Sequence, residues 1–274
     1  MSHGERFNAL TDFFLQAFGL TALCLLIAFL IAQVTFSKAL NAKLVEMFSG
    51  LQALNTGTVI VLSLSLAFVF GDVAQVHLRA RAAILNEADS LRTLGRTSLS
   101  VDERVGGPLM TAIQQYAQDV IQKEWPDMAR SAGANFSTTE SSALAPLTRM
   151  SDIVLNPHNQ QFMSQSTANQ LVSLINRVRE ARLLRAESSR YHIGYPRLGL
   201  VLFLLGAAIA VLTLSALSKR PMQIFANFIL LWIATISLLV VCAQQNPFSA
   251  LDFVSSLPLQ EALQRLQVMT KSGV

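Results

Sequence analysis

Charge is scarce in this chain. Only 14% of its 274 residues are Asp, Glu, Lys or Arg, while 52% are hydrophobic and mean hydropathy is +0.43. A soluble domain usually carries about 25% charged residues, so the composition points to an integral membrane protein. Cysteine is scarcer still. Cys24 and Cys242 both fall in uncharged runs, with neither metal-ligand spacing nor a disulfide framework, and read as apolar filler. The four histidines, His3, His77, His158 and His192, stand apart from one another and from both cysteines, so no metal site is expected. Gly106-Gly107 lacks the Gly-Lys-Ser/Thr ending of a phosphate-binding loop and follows no strand pattern. With no catalytic constellation, the chain reads as a non-enzyme without a cofactor. No segment alternates with period two, so no sheet is expected. The net charge of +4 is small, and much of it flanks apolar runs, where basic residues set membrane orientation. A nucleic-acid partner is not expected.

What the chain has is long uncharged runs. Phe13 to Phe36 gives 24 such residues, too many for the apolar core of a secretory signal. Met47 to Gly71 gives 25, and a hydrocarbon core of roughly 30 Å takes about 20 apolar residues of helix. Leu198–Ser218 and Met222–Ala243 follow near the C-terminus, separated by the tight turn Lys219-Arg220-Pro221. The expected fold class is therefore all-α, with four transmembrane helices in two hairpin pairs and a cytosolic helical bundle between them. The expected domains are 1–71 and 198–243 as the membrane pairs, 72–197 as the cytosolic region and 244–274 as a cytosolic tail.

The region from Asp72 to Arg197 spans 126 residues with 14 basic and 12 acidic side chains. Ala80, Ile84, Ala88, Leu91 and Leu94 recur at helical spacing, so the second span continues as a soluble helix to about Arg96. Ser100-Val-Asp-Glu103 fits a capping box. Gly106-Gly107-Pro108 is expected to break or restart the helix that follows, and Pro126 to stop it. Ser137-Thr-Thr-Glu140 repeats the capping signature before a helix that Pro146 would kink and Asn156-Pro157 ends. A further helix, roughly His158 to Ser189, buries Leu171, Leu174, Ile175 and Val178. The tail closes in a short amphipathic helix. Basic residues near the span ends favour the side carrying both termini and 72–197, which the positive-inside rule makes cytoplasmic, in a multi-pass cell (inner) membrane protein.

Two polar features stand out. Thr58, Ser65, Asp72, Arg79 and Asn86 recur every seven residues, drifting about 20° per heptad, with Leu64 and Phe68 beside them. Such a stripe lines a water-filled path or packs against a neighbouring helix. Arg177, Arg179, Arg182, Arg185, Arg190 and Arg197 face only Glu180 and Glu187, which suits headgroup anchoring or an anion-concentrating vestibule.

Beyond the last span, Asn246-Pro247-Phe248-Ser249, Asp252 and Leu257-Pro258-Leu259 resemble the segment after the last membrane helix of bestrophins. Glu87-Ala88 with Leu91 and Leu94, Tyr116, and Glu124-Trp125 are similar to the pattern of the bestrophin-like family. The resemblance implies a homo-oligomer, pentameric in bestrophins, with an anion path on its axis. It also implies that the second span lines that path, with apolar side chains four residues apart forming a neck. Ser249 replaces the usual glycine, and a single Asp252 stands where calcium-gated members hold an acidic cluster. The pore-lining candidates are Thr58, Leu64, Ser65, Phe68, Asp72 and Arg79. The expected partners are further copies of the chain, the lipid bilayer and inorganic anions. The other function compatible with this pattern is a non-conducting membrane scaffold or sensor acting through its cytosolic helices.

Overall fold

A computed structural model describes residues 52–130, 142–191, 195–215 and 254–272, with isolated positions between 229 and 248. The first uncharged run lies outside the described residues, as do most of the fourth run, the Ser137-Thr-Thr-Glu140 signature, Asn246 and Asp252. The described residues are all helical, with no strand among them. They fall into two compact units, one within Met1–Ala74 and His192–Gln245, the other within Gln75–Tyr191 and Asn246–Val274.

The helix α1 (Gln52–Leu99) is the longest element, 48 residues or about 70 Å at 1.5 Å per residue. Among the described residues it is the one helix long and apolar enough to cross a membrane. In the first unit it is accompanied by α7 (Tyr195–Ser215), the helix of the third uncharged run.

The second unit is a packed bundle. Its core takes Ala80, Ile84, Ala88, Leu91 and Leu94 from α1, the stripe expected from their spacing. The helix α2 (Glu103–Asp119) adds Leu109, Ile113 and Tyr116, and packs against α4 (Leu144–Leu155) and α8 (Leu257–Ser272). After the short α5 (Pro157–Gln160), α6 (Gln165–Ser189) buries Leu171, Leu174, Ile175 and Val178.

Five local expectations are corrected. Asp102, not Ser100, caps α2: its carboxylate accepts from the Arg104 N–H, while the Ser100 hydroxyl turns back to the Thr97 carbonyl. Gly106-Gly107-Pro108 does not break α2, which runs through all three residues. Gly106 is needed there because a Cβ would come within 2.4 Å of the Ser98 carbonyl oxygen, a backbone atom that cannot move aside. Pro126 does not stop the chain either. A π-helical turn, Val120–Glu124, precedes α3 (Trp125–Arg130), and the Trp125 N–H reaches back five residues to the Val120 carbonyl. The wider turn relieves the clash that a proline makes with the carbonyl four residues before it. Pro146 sits in the first turn of α4, where its missing N–H would have had no helical partner, so it starts the helix without kinking it. Finally, α6 begins at Gln165 rather than His158, because the Ser164 hydroxyl caps it by accepting from the Thr167 N–H.

Asn156 ends α4 as expected and then caps α5. The tail returns to the bundle. Pro247 and Phe248 are buried, and the Phe248 ring meets Trp125 edge-to-face at 5.3 Å. Farther on, α8 lies close enough to α1 that a Cβ on Gly95 would collide with the Leu266 side chain. Gln114 on α2 donates to the Leu266 carbonyl and the Thr270 hydroxyl, fixing the other flank of α8.

Candidate functional site

Two arrangements carry polar chemistry, one in each unit. In the first unit, α1 presents two different faces. Ile60, Leu64 and Phe68, spaced four residues apart, are 60%, 54% and 67% exposed. Leu62, Val69 and Val73, on the opposite face, are buried. At 100° per residue the open face continues through Gly71, Gln75 and Leu78, all exposed. An exposed apolar row on a helix otherwise packed against protein is a surface that calls for an explanation.

The polar heptad stripe is not on that row. Thr58, Ser65 and Asp72 are half-buried on its flank, and the stripe drifts into the open only at Arg79 and Asn86. The Ser65 hydroxyl is spent within the helix, donating to the Val61 carbonyl. Asp72 does not pair with Arg79, which instead donates to the Gln75 side chain. Asp72 forms an ion pair with Arg197 at the start of α7. Beside this pair, a cavity of about 300 Å³ lies between α1 and α7, lined by Ser65, Phe68, Asp72, Arg197 and Leu200 among others. Ile60 extends the Leu64–Phe68 row by one turn, and its spacing of four was visible in the sequence.

In the second unit, four charged side chains and a tyrosine meet in the core. Arg185 donates through Nε to Glu87 at 2.8 Å and through one terminal nitrogen to both Glu87 (3.2 Å) and Glu124 (2.8 Å). Arg182 donates twice to the other Glu124 oxygen, at 3.0 and 2.8 Å. The Tyr116 hydroxyl donates to Glu87 at 2.6 Å, and the remaining Arg185 nitrogen contacts Met128 Sδ at 3.5 Å. Glu87 is 0%, Arg185 1%, Glu124 2% and Arg182 3% exposed. Two carboxylates and two guanidiniums balance, so the network holds no net charge in a medium where an unpaired ion would be very costly.

The electrostatics follow from that geometry. Burial pushes the Tyr116 phenol well above its ordinary range, and the adjoining Glu87 carboxylate pushes it further up. Burial alone would lower the Arg185 pKa, but Glu87 and then Glu124 reverse this and hold it above the usual arginine range. Glu87, Tyr116 and Glu124 are thus joined, and Trp125 lies next along the chain against Phe248.

The arginines that complete this network, Arg182 and Arg185, are expected from sequence among the headgroup anchors or a basic vestibule; the structure corrects this, since both are buried in the bundle core. Their positions continue the buried stripe Leu171, Leu174, Ile175 and Val178 at spacings of four and three, and that signal would have placed them inside. Arg179, by contrast, is exposed and donates to Asn176 and to Ser151 on α4. Among the described residues, no group of three or more His, Cys, Asp or Glu could hold a metal ion.

Among the described residues, all in helices or the turns between them, one helix is long and apolar enough to cross a membrane and continues into a charge-stapled helical bundle, a pattern consistent with a membrane protein. The chain matches the bestrophin-like domain model over residues 51–251, and it belongs to that family. In fold it is similar to crystal structures of a bacterial bestrophin homologue from Klebsiella pneumoniae. One variant of that homologue gives a TM-score of 0.68 at 11% identity, covering 93% of this chain and 97% of the other. A second variant gives 0.66 at 11% identity, covering 93% and 99%. A crystal structure of a membrane protein gives 0.66 at 11% identity, covering 94% and 99%. No curated protein matches the chain.

Proposed function

We infer that this protein is an ion channel of the bestrophin type, assembled from several copies of the chain and conducting anions, with α1 lining the path. The observation that carries this reading is the exposed apolar row Ile60, Leu64 and Phe68 on α1 in a chain of this family. With α1 on the axis of an oligomer, each of these residues becomes a ring. Residues four apart rise about 6 Å along a helix, so three successive rings make a neck roughly 12 Å long. Apolar rings at that spacing expel water and set a barrier to ions. Thr58, Ser65, Asp72 and Arg79 then flank the neck and its mouth rather than forming the barrier. The membrane arrangement that goes with this reading is four spans, with 72–197 and both termini in the cytoplasm.

The test is purified protein in planar bilayers under a salt gradient, wild type beside Phe68→Ala. Anion-selective current is expected, and Phe68→Ala should raise single-channel conductance because it removes the bulkiest side chains of the neck. Absence of current from both proteins, with the oligomer confirmed, overturns the channel. A membrane scaffold would then be favoured by Leu183 and Leu184, apolar side chains left exposed on α6 of the soluble unit.

A further inference from the structure

The Asp72–Arg197 pair sits where two uncharged segments end. Asp72 directly follows the run Met47–Gly71 on α1, and Arg197 directly precedes the run Leu198–Ser218 on α7. Their side chains are 39% and 59% exposed, so each charge is open to ions in the adjoining water. Phe68, which stands on the open apolar row, also lines the cavity flanked by this pair. The pair is therefore one helical turn from the last apolar side chain of the row. An unpaired carboxylate at that position would concentrate cations at the mouth, against an anion path. The bound guanidinium cancels it.

We propose that Arg197 is a selectivity-determining residue: by neutralising Asp72 it keeps the mouth of the path from favouring cations. This rests on the channel reading above. A unit charge about 6 Å from a passing ion changes its local concentration roughly threefold even at the dielectric constant of water. Salt screens charges beyond about 10 Å, so the effect is confined to ions passing within about two turns of helix of the pair.

The experiment measures reversal potentials in planar bilayers under a chloride gradient for wild type, Asp72→Asn, Arg197→Gln, the double variant and Arg197→Lys. Both side chains are substantially exposed and the neutral replacements are close in size, so assembly should be retained, with size-exclusion chromatography as the check. Asp72→Asn frees a guanidinium and should raise the anion-to-cation permeability ratio by about threefold or more. Arg197→Gln frees a carboxylate and should lower the ratio by a similar factor. The double variant, like Arg197→Lys, should return to the wild-type ratio. A pair that only latched α1 to α7 would weaken assembly in both single variants and leave the ratio unmoved. Current with an unmoved ratio, or a shift of the same sign in both single variants, overturns the assignment while leaving the channel standing. No current from any assembled protein overturns both.

Discussion

The Tyr116 hydroxyl is bound to an ionised carboxylate in the core, which makes it a reporter of folding at high pH. Its folded pKa is raised above that of an unfolded tyrosine. Its contribution to stability is therefore fully present below about pH 10, the ordinary tyrosine value, and is lost as pH rises toward the folded value. A hydrogen bond to a charged group contributes roughly 1.5–3 kcal/mol. Tyr116→Phe should lower stability by about that much at pH 8, and the gap to wild type should narrow above pH 10. Thermal melts of the detergent-solubilised protein at several pH values measure this. A gap that stays constant through pH 11 would mean that Glu87 does not hold the phenolic proton. At this scale the sequence was informative about residue type and less so about partnership. Glu87, Tyr116 and Glu124 were singled out by family resemblance, yet nothing local says that carboxylates 37 positions apart share one guanidinium. Arg185 can bridge them because α6 passes beside both, a consequence of chain topology that periodicity does not encode.

Among the helices, the stretches with strong periodic signals formed as expected, whereas most of the punctuation, Asn156 excepted, did not. The apolar stripe of α1 and the core face of α6 are buried, since an amphipathic face must be covered by something. The prolines were misjudged because their cost depends on what the preceding turn does. Pro146 lies where no N–H was needed, and the π-turn before Pro126 widens the helix around it. The same π-turn carries Glu124 into the core network. The stripe Thr58–Ser65–Asp72 was legible as a stripe, but its slow rotation about α1 takes it from a half-buried flank into the open, so one spacing spans two environments. The tail segment was clearer. Phe248 is 2% exposed and closes on Trp125, just after the π-turn. Truncating a buried phenylalanine costs roughly 3–5 kcal/mol. Phe248→Ala should therefore lower the melting temperature and loosen α8, exposing the bundle to limited proteolysis near Leu257. Unchanged melting and cleavage would show that the tail is held by α8 alone.

At the scale of the whole molecule, the reading depends on which side of the membrane the charged bundle occupies. Crossing α1 from lipid to water separates Gln52 from the soluble unit by the apolar segment, so the two must lie on opposite faces if the helix spans. Arginines near the span ends decide the sense. In the proposed four-span arrangement Arg6, Arg79, Arg81, Arg179, Arg190, Arg197 and Arg265 would lie on the side of the bundle, against Lys38, Lys43, Lys219 and Arg220 on the other. Basic residues close to the spans are retained in the cytoplasm, whereas near-balanced distant charge has little influence. This orientation rests on counting charges in the sequence and draws on no tertiary contacts. A reporter on the bundle must be accessible without disturbing the core, and Gln170 on α6 is exposed. In a protein with Cys24 and Cys242 replaced, Gln52→Cys should react with a membrane-impermeant maleimide in intact cells, and Gln170→Cys only after the membrane is opened. The reverse pattern would place the bundle outside and invert the proposed orientation. Labelling of both sites in intact cells would mean that α1 does not cross at all, and the neck formed by Ile60, Leu64 and Phe68 would lose its setting.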